Sequence, residues 1–191
     1  LFILWPYDAR SRYQYLLPPN TRIEAHGGPL TKGDLEETPY EAYVALTVEP
    51  RPQDSNHHLA RFGSRQSGAQ IALTGCAVTV NGSMWNVRLA WEALTPIETN
   101  YTVFVHLRVD GQTVAQDDGE PATGHYPTSL WRMGDIIVDV HTLKAAPEWR
   151  NEAKIVTGLY VWPTMEPLDA IAPNGGLLNN EAPISCQMNV E

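Results

Sequence analysis

The chain has 191 residues, with 22 acidic against 13 basic side chains and a formal net charge of -9. That balance excludes nucleic acid as a partner, because neutralising phosphates takes clustered Lys and Arg, and no such patch occurs. It also excludes a polybasic membrane-surface mode, while the length suits one domain, or one domain with an N-terminal extension, able to bury a core of its own.

Leu1-Phe2-Ile3-Leu4-Trp5-Pro6 is apolar but far shorter than the roughly 20 residues a membrane helix needs. Two readings stay open. It is the last turn of a transmembrane helix, with Trp5 and Tyr7 at the interface, or an ordinary buried strand or tail. No charged n-region or cleavage pattern marks a signal peptide. Prolines at 18, 19, 29, 39, 50 and 52 interrupt every helical candidate across residues 1–66. This stretch reads as an irregular Pro/Gly-rich arm or membrane-proximal linker with one strand, Ala42 to Glu49. Asp54 to Gln70, with His57-His58, reads as a linker.

Residues 67–191 carry regular β grammar. Ile71 to Val80 alternates, Asn81-Gly82 marks a tight hairpin, and Met84 to Trp91 puts Trp85, Val87, Leu89 and Trp91 on one face. Tyr101 to Val109 follows, then the turn Asp110-Gly111 and the return strand Gln112 to Asp117. Ile136 to Leu143, Lys154 to Trp162 and Ala182 to Val190 complete the set. Short strands separated by turn signals predict an all-β fold, an antiparallel β-sandwich of jelly-roll or immunoglobulin-like type with an irregular N-terminal arm. Cys76 and Cys186 lie in its first and last strands. Such strands are often neighbours, so the pair is either a disulfide or two buried thiols.

The chemistry is densest between Asp117 and Asp135. Asp117, Asp118 and Glu120 offer hard oxygen ligands of the kind Ca²⁺ takes, with Asp135 and Asp139 on the next strand, although the spacing is not that of an EF-hand. Asp117 and Asp118 are therefore the candidate calcium ligands, calcium being the one cofactor in view. The alternative is that they bond to backbone amides and organise the loop. Asp118 with Asp135 or Asp139 also raises glycoside hydrolysis by paired carboxylates. His106, His125 and His141 lack the short ligand spacings of a zinc site. No G-x-S-x-G elbow is present. Tyr126 and Trp131, with Trp149 and Trp162, supply flat faces on which sugar rings pack while fixed polar groups hold their hydroxyls. Asp118, His125, Tyr126 and Trp131 form the candidate ligand-binding set; the alternative is that Trp131 plugs the end of the core and Tyr126 bonds to the backbone. Asn81-Gly82-Ser83 and Asn100-Tyr101-Thr102 match the glycosylation pattern.

Taken together, Arg61-Phe62-Gly63 with IALTGC, VRLAWEAL, YTVFVHL with DGQTVAQDDGEP, and YPTSLWRMGDIIVD with GLYVW resemble one family. It is the C-terminal soluble β-sandwich domain of bacterial membrane glycosyltransferases of the dolichyl-phosphate-mannose mannosyltransferase type. The resemblance spans about residues 60 to 190, with Cys76 standing where a large or aromatic residue is expected. It implies a non-catalytic accessory domain, extracytoplasmic and anchored in its parent through a preceding membrane helix. Its expected partner is a glycan, a lipid-linked sugar or another protein. The acidic residues of such transferases belong to their membrane region, so no catalytic residue carries over. The rival functions are a sugar-active hydrolase using the loop carboxylates and a purely structural interaction module.

Overall fold

The computed structural model describes residues 2–4, 17–30, 40–52, 57–64 and 67–190, with backbone placement alone for 2–4, 27–30, 40–44 and 190. Trp5, Tyr7 and residues 53–56 lie outside the described residues. The fold is all-β, with two packed sheets. The large sheet contains β1 (Phe2–Leu4), β2 (Thr21–Leu30), β3 (Tyr40–Pro50), β4 (Ala60–Ser64), β5 (Gly68–Asn81), β6 (Met84–Ala93), β9 (Ile136–Lys144), β12 (Asp169–Ile171) and β14 (Gln187–Val190). Its order is β1-β3-β2-β9-β6-β5-β4-β12, and β14 also pairs with β5. The small sheet runs β11 (Glu166–Pro167), β10 (Lys154–Val161), β7 (Tyr101–Val109), β8 (Gln112–Gly119), with β13 (Ala182–Ile184) on β10.

The core follows from the period-two pattern. Trp85, Val87, Leu89 and Trp91 of β6 are buried against Val103, Val105 and Leu107 of β7 and Leu159 of β10 in one apolar cluster. Phe62 meets Trp91 edge-on, 5.6 Å between ring centres. Both expected hairpins form, with positive φ at Gly82, Asp110 and Gly111.

The N-terminal stretch contributes more strand than its prolines suggest. β3 contains the expected strand, and Phe2–Leu4 pairs with it as a strand, the second of the two readings. β2 was not expected. It pairs along β3 and, in parallel, with β9 at Arg22–Ile136, Ile23–Ile137 and Glu24–Val138. β4 lies inside the stretch read as a linker, because Ala60 and Phe62 alternate into the core. Four of these prolines sit at strand ends or a bulge, or just before a strand: Pro18 and Pro19 precede β2, Pro29 lies at its bulge and Pro50 ends β3.

Polar knots fix this edge. Asp135, fully buried, accepts from the Thr21 backbone N–H (3.1 Å) and from Arg132 Nε (2.7 Å), and Arg132 also donates to the carbonyls of Leu17 and Pro18. The Arg51 guanidinium forks onto Glu92 (2.7 and 3.1 Å) and donates to the Gly134 carbonyl. Gly134 has φ +87°, a left-handed conformation that favours glycine, and it packs close against the Asn20 side chain.

Cys76 and Cys186 form a disulfide, Cα–Cα 5.1 Å, where β14 runs parallel beside β5. It closes a loop of 110 residues. The double variant Cys76→Ser/Cys186→Ser is expected to lose about 5 kcal/mol of unfolding free energy, the chain-entropy value for a loop this long. Urea titration of the oxidised protein and the variant measures it.

Candidate functional site

The loop between β8 and β9 is built by three successive devices. Asp117 and Asp118 are neighbours on β8, so their side chains leave opposite faces of the strand. Asp117 faces the large sheet. Its carboxylate accepts the Thr142 backbone N–H at 2.9 Å and lies 3.2 Å from His141 Nδ1. Thr142 needs that acceptor, because β2 stops pairing with β9 after Val138 and leaves the edge of β9 open. Asp118 faces the other way, 3.3 Å from His106 Nε2 and 3.4 Å from the Tyr160 hydroxyl, which donates to it. The two candidate calcium ligands thus do not converge, and among the described residues no three His, Cys, Asp or Glu side chains are placed to hold a metal ion.

The second device is the buried face of β9, where Ile137, Asp139, His141 and Leu143 alternate inward, all 3 % exposed or less. Asp139 accepts from His141 Nε2 at 2.9 Å and from the Ala122 backbone N–H at 2.9 Å. His141 therefore lies between a carboxylate of each sheet. Burial alone pushes its pKa down, but the hydrogen bonds to Asp117 and Asp139, with the charges of both, outweigh burial and raise it to about 9. The hydrogen bond from His141 holds the Asp117 carboxyl below the usual carboxylate range against its own desolvation, and the Thr142 amide adds to that. At neutral pH this group is an imidazolium between two carboxylates.

The third device is the turn Pro121–Gly124, which wedges between β2 and β9 where they part. Ala122 and Thr123 both have φ +53°, a left-handed conformation that costs roughly 1–2 kcal/mol per non-glycine residue. The Asp139 bond to Ala122 holds it in place. His125 is buried and lines a cleft of about 260 Å³ with Glu24, His26, Thr123 and Val140. Glu24 is engaged by the Arg88 guanidinium, whose hydrogen bonds and charge keep its carboxyl pKa low.

Trp131 follows the core-plug alternative, and Tyr126 is buried with it rather than offering a surface. Tyr126 is fully buried and Trp131 is 3 % exposed, its Nε1–H donating to the Tyr126 carbonyl at 2.9 Å. Thr128 ties the same loop to β7, accepting from the Tyr101 backbone N–H and donating to the Thr99 carbonyl. Of the four candidate ligand-binding residues, the structure does not bring Asp118 together with the other three. Of the four candidate aromatics, Trp149 is half-buried and Trp162 is exposed, at 68 %. Sequence reasoning missed the partners of Asp118: Phe104, His106 and Tyr160 on the outer face of the small sheet, with Phe104 4.8 Å from the His106 ring. The signal was present in the outward half of the Tyr101 to Val109 alternation.

No family model, no curated protein and no solved structure matches this chain.

Two outcomes follow from the geometry. Because the folded pKa of His141 is raised, its contribution is complete below about pH 6.5 and is lost as pH rises through about 9. Unfolding free energy is expected to fall over that window by on the order of 2–3 kcal/mol, discounted for the partial exposure of Asp117, and His141→Gln is expected to flatten the profile. Chemical denaturation at stepped pH reads this directly. Asp117→Ala is expected to cost about 1–3 kcal/mol and Asp118→Ala less than about 1, since only Asp117 bonds a backbone amide and the buried imidazolium. Equal losses in thermal or urea melts would refute the division of roles.

Proposed function

We propose that this chain is a non-catalytic accessory domain that stands outside the cytoplasm in a membrane glycosyltransferase-like parent and recognises a glycan or partner beside the membrane. The observation that carries the non-catalytic part is the use made of the most concentrated ionisable group. His141, with a pKa of about 9, holds its proton at neutral pH and is no general base, while Asp117 and Asp139 are committed to it and to backbone amides. Asp135 is likewise committed, to Arg132 and Thr21. The Cys76–Cys186 disulfide supports the extracytoplasmic placement, since such bonds persist in oxidising compartments. The recognition part is supported by the outer face of the small sheet, where aromatic rings, a carboxylate and amides lie together.

The test uses the folded chain in two assays. It is expected to be retained on a glycan array and to release no product from chromogenic aryl glycosides or oligosaccharides. Turnover that disappears in Asp118→Asn or Asp139→Asn would replace this reading with the hydrolase. Alkylatable thiols in protein isolated from its native source would overturn the extracytoplasmic placement.

A further inference from the structure

The outer face of the small sheet contains a built cleft. Phe104, His106 and Arg108 follow one another on that face of β7, opposite Gly158, Val156 and Lys154 of β10. At Gly158 no side chain is tolerated. A Cβ there would lie 2.5 Å from the Phe104 ring and 2.6 Å from the Asn180 carbonyl. Its absence lets the ring lie down on β10 and lets the segment before β13 cross above the sheet. Glu181 then reaches over β10 to β7 and takes the Arg108 guanidinium in two hydrogen bonds of 2.6 and 2.7 Å. The crossing segment and the sheet border an open cleft of about 500 Å³, with Phe104 and Val156 on one side and Leu177, Asn179, Asn180 and Glu181 on the other.

We propose that this cleft binds a single neutral pyranose unit of a glycan; the proposal rests on the glycan-recognition reading above and gives it a location. The volume falls within the range of small-ligand sites, which is roughly 300–1,000 Å³. Leu177, 60 % exposed at the rim, offers the apolar surface for the C–H face of a sugar ring, over a floor formed by the buried Phe104 and Val156. Asn179 and Asn180 add two exposed side-chain amides, each able to donate to and accept from a hydroxyl. Asn179 has φ +57°, so the segment turns at the cleft wall. The Arg108–Glu181 pair is about one-third exposed on both sides, leaving it open to a further hydroxyl after its own two bonds are made. The charge selects a neutral ligand. Glu181 is offset by Arg108, so the cleft lining holds no spare cation for an anion to pair with, and the chain's net charge of -9 disfavours a sugar phosphate, a uronic acid or an anionic lipid headgroup.

The experiment is a titration of the ¹⁵N-labelled full chain with methyl α-mannopyranoside, methyl β-glucopyranoside and methyl β-galactopyranoside, with mannose 1-phosphate as the anionic arm. At least one neutral glycoside is expected to shift the amides of Leu177, Asn179, Asn180 and Gly158 in a saturable manner, and mannose 1-phosphate is expected to shift them less. Asn180→Ala, at an exposed position, is expected to weaken that binding about tenfold with an unchanged melting temperature. Saturable shifts centred elsewhere, for example around Trp162, would overturn the cleft and leave glycan recognition standing. Tighter binding of mannose 1-phosphate would overturn the selection for a neutral unit. No shift with any of the neutral glycosides would overturn both the cleft and the glycan reading.

Discussion

The structure turns on one buried cation. A sandwich interior excludes water, and a charged imidazole there costs several kcal/mol of lost hydration unless it is fully paired. His141 meets that condition by taking one carboxylate from each sheet, Asp117 from β8 and Asp139 from its own β9. Each carboxylate is itself placed by a backbone amide, Thr142 for one and Ala122 for the other. The group therefore fixes four things at once: the distance between the sheets at this end, the open edge of β9, the left-handed turn at Ala122-Thr123 and the start of the loop behind it. Tyr126 and Trp131 close the core because that turn is fixed.

The N-terminal strands join the sheet differently. β2 shares only three parallel pairs with β9. The remaining attachment combines Ile23 and Leu46, fully buried in the core, with polar ties: Asp135 holding Thr21 and Arg132, Arg51 forked onto Glu92, and Arg88 onto Glu24. Bidentate guanidinium–carboxylate pairs are directional, so they set the register of a short parallel contact that hydrophobic burial alone would leave free to slip.

These two arrangements explain what the sequence disclosed and what it hid. The strands β5 to β10 were legible because they are short β-type runs, clearest in the alternation of β6 and β7, set off by defined turns such as Asn81-Gly82 and Asp110-Gly111. β2 was not, because TRIEAHGGPL has little apolar periodicity, and the groups that stabilise it, Arg88 and Asp135, lie 64 and 114 positions away from their partners. The acids of the loop were legible as a cluster, but their division between two faces was not drawn from the simple fact that neighbours on a strand point apart. Asp139-Val140-His141 held a stronger signal. Two ionisable groups two residues apart on the apolar face of a strand must be buried together, and buried together they must be paired. Whether Tyr126 and Trp131 faced solvent or core depended on the turn at Ala122, whose conformation rests on a residue 17 positions away.

The disulfide has a mechanical consequence. Cys76 and Cys186 are joined across 110 residues, so β6 through β13 lie within one covalent ring. Tension applied between the two ends of the chain passes from β5 through the sulfur bridge directly into β14 and bypasses the ring. Pulling can strip β1 to β3 from one edge of the large sheet and β4 from between β5 and β12, yet it cannot draw out the small sheet or the cleft on its outer face. The strands that yield under load and the sheet that carries the cleft are thereby kept separate.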